Sequence, residues 1–124
     1  MSALYDYEGA MQRMGNDELL FQEMIYILRE DAPRRFREME SGQAAGDWKV
    51  VQRAAHSLKG LVANFGAESA QQAAFQVEQL AKQGDGAALP AGISALREEM
   101  HKLVTALEPL VRGKPVSSSL PQSS

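Results

Sequence analysis

Hydrophobic positions in this chain recur mostly at steps of three and four, the period of one helix face. The breaks between such stretches fall at Gly, Asn, Asp and Pro. A short helix is expected from about Asp6 to Met14, stopped by Gly15-Asn16. Asp17 is the start signal of a longer helix, whose apolar stripe is formed by Leu19, Leu20, Met24, Ile27 and Leu28. Pro33 lies inside this stretch, and a proline ring removes a donor and crowds the preceding turn. The helix is therefore expected to kink or break near Ala32 before continuing through Phe36 and Met39. Ser41-Gly42 and Gly46 mark the next connection, and Asp47 is a credible N-cap for a third long helix.

That third helix has the clearest pattern in the chain. Trp48, Val51, Ala55, Leu58, Val62 and Phe65 recur at alternating three- and four-residue steps, the seam of a bundle helix, and Gly66 is expected to end it. A fourth helix is expected from about Glu68 to Gln83, burying Ala70, Ala73, Ala74, Val77 and Leu80. Gly84-Asp85-Gly86 is a turn. A last helix opens near Pro90 and carries Ile93, Leu96, Met100, Leu103, Val104 and Leu107 before Pro109. Long helices with short connections pack antiparallel. The expected fold is thus all-α: an up-down antiparallel four-helix bundle with an additional short N-terminal helix. Residues 1–112 form this bundle, and 113–124, rich in Ser and Pro, form a flexible tail or linker with nothing to bury.

Composition supports the helical reading and narrows the function. Val, Ile and Thr number only seven, three and one in a chain of 124 residues that is 44% apolar. Thirteen Lys and Arg against sixteen Asp and Glu give a net charge of −3, the wrong sign for a dedicated nucleic-acid binder. The basic stretch Arg29, Arg34, Arg35 and Arg37 is interspersed with Glu30, Asp31, Glu38 and Glu40, as in a salt-bridged helix face. No apolar run is long enough to span a bilayer and no signal segment opens the chain, so a cytoplasmic domain without membrane contact is expected. The absence of Cys excludes a disulfide scaffold, a thiolate zinc site and a cysteine nucleophile; two His are too few for a His-rich metal site. Few side chains remain that could do chemistry.

The solvent side of the third helix holds the exception. At about 100° per residue, His56 shares a face with Gln52, Arg53, Lys59 and Gly60, with Lys49 and Ala63 one turn further out. None of these belongs to the apolar seam. A glycine inside a helix costs about 0.5–1 kcal/mol relative to Ala, so Gly60 needs a reason. It serves either close packing against another helix or clearance beside the imidazole. Lys59 is either an ordinary solvated lysine or a counter-charge for a dianion carried on the ring. A free imidazole titrates near about 6.5 and is a competent nucleophile at neutral pH. An exposed His, a clearing and adjacent positive charge together suit a transiently phosphorylated histidine.

The stretch Ala54-Ala55-His56-Ser57-Leu58-Lys59-Gly60, followed by Asn64-Phe65-Gly66-Ala67, resembles the signature of histidine-containing phosphotransfer (HPt) domains. Asp6-Tyr7, the run Arg13 to Leu20 and Gly46-Asp47-Trp48 resemble the family's opening and its lead into the histidine helix, so the similarity spans about residues 5 to 110. It implies that His56 is the phosphoacceptor, taking the group on Nε2 from the aspartyl phosphate of a response-regulator receiver domain and passing it to another receiver Asp. Lys59 then matches the lysine that steadies the phosphoryl group, Gly60 the glycine that keeps access open, and Gly66 the one that closes the helix. Glu78 falls where relatives carry Gln or Glu able to orient the imidazole; a solvated helix charge is the alternative. A receiver would dock around His56 on Lys49, Gln52, Arg53, Lys59 and Ala63, joined by Gln71, Gln72 and Phe75 of the fourth helix.

Neither a carboxylate cluster resembling a Mg²⁺ site nor a Gly-rich phosphate loop is present in the sequence. A carrier that is not itself an enzyme, with no cofactor of its own, is expected, acting as a monomer and meeting Mg²⁺ on the receiver partner. It is free-standing or part of a hybrid sensor kinase. Two other readings stand beside this one: the phosphoacceptor domain of a chemotaxis-type kinase, labelled by an ATP-bound catalytic domain, and a helical interaction module never phosphorylated. His101 lacks a Lys-Gly companion and is a surface or packing residue; Tyr5, Tyr7 and Tyr26 serve packing.

Overall fold

The computed structural model describes residues 4–111, and the Ser/Pro-rich tail expected at 113–124 lies outside them. The described residues form helices α1 (Tyr7–Arg13), α2 (Glu18–Ala45), α3 (Trp48–Ala63), α4 (Glu68–Gln83) and α5 (Leu89–Leu107), followed by a 3₁₀ turn at Glu108–Leu110. The four long helices stand in a ring in chain order, and α5 closes back on α2. This is the expected up-down bundle, with α1 as the additional short helix. No polar or charged residue among those described is fully buried; the core is apolar throughout. No described helix is long and apolar enough to cross a membrane.

Local chemistry sets the boundaries. The Asp6, Asp17 and Asp47 carboxylates accept from the backbone N–H of Gly9, Leu20 and Val50, capping α1, α2 and α3. Gly46 ends α2 in the left-handed region (φ +71°), where a side chain would be strained. Trp48 lies half-buried against the turn joining α4 and α5, close beside Gly84 and Gly86.

Four expectations about these helices are corrected. First, α2 does not break at Pro33 but runs unbroken as 28 residues. Pro33 is exposed, and so is Arg29, whose carbonyl loses its helical partner on the side of the helix open to solvent, while Ala32 and Phe36 on the other side stay in the core. Second, the buried stripe of α2 is Phe21, Ile25, Leu28, Ala32, Phe36 and Met39, whereas Leu19 is 75% exposed and Leu20 and Ile27 are exposed as well. Third, Ser41-Gly42 lies within the helix. Gly42 is buried there because a Cβ would come within 3.0 Å of both Val50 and Val51, so it permits α2 and α3 to meet closely. Fourth, α3 ends at Ala63, three residues before Gly66, and Phe65 is buried from the connection that follows.

Helix α1 seals one end of the bundle. The Asp6 N–H donates to the Phe65 carbonyl at 2.7 Å, and Arg13 Nη2 donates to the Asn64 carbonyl at 3.2 Å. The Tyr7, Phe21 and Phe65 rings meet edge to face, with centroids 5.3 and 5.8 Å apart.

Candidate functional site

Helix α3 buries Val51, Ala54, Ala55, Leu58 and Val62, which turns the face bearing position 56 outward. The His56 side chain is 67% exposed. Its Nδ1 lies 2.9 Å from Oε2 of Glu78 on α4. Glu78 is itself enclosed, its side chain only 13% exposed. The other carboxylate oxygen, Oε1, has no hydrogen bond of good angle, and the Lys59 ammonium stands 2.8 Å from it as an ion pair. Lys59 also lies over the Phe75 ring, 5.0 Å from its centroid. The pairs 56–78 and 59–75 step in opposite directions along the two helices, so antiparallel packing builds the centre from one turn of each.

Glu78 determines what the imidazole can do. Burial alone raises its pKa, but the contacts from Lys59 and His56 outweigh burial and hold the carboxyl below its ordinary value. It is therefore an anion at neutral pH and can only accept. In the neutral form of the ring the His56 proton is then placed on Nδ1, donated to Oε2, which leaves the lone pair on Nε2. A Cβ built at Gly60 meets nothing within 4 Å, which removes close helix packing as the reason for the glycine and leaves open space beside the ring.

Lys49 and Arg53 are exposed on the same face of α3 and have no ion-pair partner among the described residues; Gln52 and Ala63 are partly buried beside them. On α4, Gln72 and Phe75 are exposed and Gln71 is half-buried. Among the described residues no group of three or more His, Asp or Glu is placed to hold a metal ion.

The structure brings His56, Lys59, Glu78 and Phe75 into one cluster and gives Lys49, Gln52, Arg53, Ala63, Gln71 and Gln72 no hydrogen bond or ion pair to the imidazole. Two links escape a reading of the sequence: the Lys59–Glu78 pair and the Lys59 contact with Phe75. The available signal is the spacing of Phe75 and Glu78, one turn apart on α4, opposite Lys59 and His56, one turn apart on α3.

With this geometry in place, the Hpt domain family model matches residues 23–106. In shape the chain is similar to the crystal structure of histidine-containing phosphotransfer protein B (HptB) from Pseudomonas aeruginosa PAO1. The TM-score is 0.79 at 21% identity, covering 88% of this chain and 95% of that one. No curated protein sequence matches the chain significantly.

Proposed function

The chain belongs to the Hpt domain family and is a phosphorelay carrier, and from that premise we propose that His56 is the residue that carries the phosphoryl group. The observation that carries the proposal is the Nδ1–Glu78 bond on an otherwise exposed imidazole, which leaves Nε2 as the free nucleophile. Nε2 attacks the phosphorus of an aspartyl phosphate on a receiver domain. The N–P bond forms, the P–O bond to the aspartate breaks, and the receiver carboxylate leaves with the electron pair. The proton stays on Nδ1, and the positive charge that develops on the ring is balanced by the Glu78 carboxylate. Transfer to a second receiver runs the same steps in reverse.

Lys59 is a turn from the ring and held beside it by Glu78 and Phe75. It offsets the charge of the phosphoryl oxygens once they arrive. Open space at Gly60 lets a bulky aspartyl phosphate approach in line. The divalent cation that such transfer uses arrives on the receiver, whose docking surface is formed by the unpaired cations and small side chains around His56. On this reading the chain is a cytoplasmic, monomeric covalent carrier and not an ATP-dependent kinase.

Incubation with a phosphorylated receiver is expected to give an acid-labile phosphate, absent in His56→Gln with the helical circular dichroism unchanged. Label that persists in His56→Gln would overturn the site. Label from a kinase core with ATP and none from any receiver would favour the chemotaxis-type reading.

A further inference from the structure

The seam opposite His56 has a chemistry of its own. In the ring of helices the histidine centre lies across α3 and α4, and the far seam is the joint between α2 and α5, the neighbours that touch least. An open groove of about 510 Å³ runs along it. Its floor is apolar, made by Ala32 and Phe36 of α2 with Met100 and Val104 of α5. Arg29, Arg37, Arg97 and His101 stand around that floor against one carboxylate, Glu40. The groove is thus locally basic in a chain whose net charge is −3.

The pairing of these arginines separates the groove from the rest of α2. Arg34 and Arg35 are tied to Asp31, and Arg35 also to Glu38. At one end of the groove Arg97 lies over the Phe36 ring, 4.6 Å from its centroid, and pairs with Glu40. Arg29 and Arg37 have no ion-pair partner among the described residues, and both are exposed on the groove's α2 wall. They stand two turns apart, about 12 Å along the helix at the α-helical rise. Cations so spread do not converge on one compact anion.

We infer that this groove is a docking site for an acidic amphipathic helix of a partner protein, separate from the receiver surface. An apolar floor between two antiparallel helices accepts anchors at i, i+3, i+4 and i+7, the helix-in-groove mode of recognition. Carboxylates on the flanks of that helix reach Arg29 and Arg37, whose planar guanidinium groups pair carboxylates in bidentate fashion. Because the two seams lie on opposite sides of the bundle, the helix and a receiver bind at the same time.

The test titrates the ¹⁵N-labelled full chain with a synthetic peptide of about 12 residues, long enough to fill the groove. The peptide carries Leu at helical spacing with Glu between, and a twin carries Lys in place of every Glu. Saturating amide shifts are expected at Arg29, Phe36, Met100 and Val104, with His56 and Glu78 unmoved. Arg29→Glu with Arg37→Glu is expected to weaken binding at least about tenfold, as is raised salt. Equal binding of the Lys twin, indifference to the double reversal, or no saturable shift at millimolar peptide would each overturn the inference. Saturation of the same residues by inorganic phosphate would make the groove a small-anion site instead. Labelling of His56 by a phosphorylated receiver is expected to be unchanged in the double variant; its loss would put the arginines in the receiver surface and end the claim of a separate site.

Discussion

A histidine that offers one chosen nitrogen to an electrophile needs its proton held on the other. In the proposed mechanism Glu78 does this for His56, and Lys59 helps to hold Glu78 in its charged form. Loss of a hydrogen bond to a charged group costs about 1.5–3 kcal/mol, and about 1.4 kcal/mol is a decade in rate. Glu78→Ala is therefore expected to slow single-turnover transfer from a receiver about ten- to a hundredfold, with Glu78→Gln, which keeps an acceptor but no charge, in between. Imidazole ¹⁵N shifts should show Nδ1 protonated in the wild type and a tautomer mixture in the Ala variant. Equal rates in all three proteins would remove Glu78 from the mechanism. The same residue has a pH signature. Its folded pKa is held below 4.5, so its contribution to stability is present above that value and is lost as pH falls through the depressed one. The stability gap between wild type and Glu78→Gln is expected to shrink on acidification below 4.5. Asp31, whose pKa burial raises and Arg34 and Arg35 more than restore downward, shifts both proteins alike and cancels. His56, Lys59 and Glu78 are legible one by one in the sequence. Their linkage depends on the register of α3 against α4, which no single-helix pattern contains.

Helix α2 shows at the next scale why phase is harder to read than period. Splitting the stretch at Pro33 leaves an N-terminal half in which Leu20, Met24 and Ile27 compete with Phe21, Ile25 and Leu28 for the buried face. Kept as one helix, the half anchored by Phe36, Met39 and Gly42 projects back through Ala32 onto Leu28, Ile25 and Phe21, and the choice is made. Helix α3 has no such interruption, and its buried face follows directly from its spacing, Ala54 excepted. Its interior glycine separates access from stability. Because a Cβ at Gly60 meets nothing, Gly60→Gln gains helix propensity, about 0.5–1 kcal/mol, and should raise Tm by a few degrees. The same side chain fills the space beside Nε2, so transfer from a receiver should fall sharply. Parallel loss of Tm and transfer would mean that Gly60 serves packing after all.

Across the whole molecule, the division of labour follows the ring. On the proposed reading one seam holds the nucleophile, while the opposite seam holds the basic groove. The ends matter for stability instead. The family match begins at residue 23 and leaves out α1 and its N-cap, yet the N-cap Asp6 supplies the N–H that bonds the Phe65 carbonyl and Tyr7 of α1 the ring that meets Phe21. An aromatic pair is worth about 0.5–1.5 kcal/mol beyond its burial, and a backbone hydrogen bond about 1 kcal/mol. Adding the apolar surface newly exposed around Phe21 and Phe65, removal of residues 1–14 is expected to cost about 2–4 kcal/mol, a fall in Tm on the order of 10–20 °C. The single tryptophan, Trp48, is half-buried beside Gly84 and Gly86, and its fluorescence reports the unfolding of the α4–α5 turn. Since the hydrogen bonds and ion pairs of the His56, Lys59 and Glu78 side chains run between α3 and α4, the Nδ1-protonated imidazole signature should survive in the shortened chain well below its Tm. An unchanged Tm would show α1 to be idle, and a lost signature would show that the seal at Phe65 holds the α3–α4 register on which the nucleophile depends.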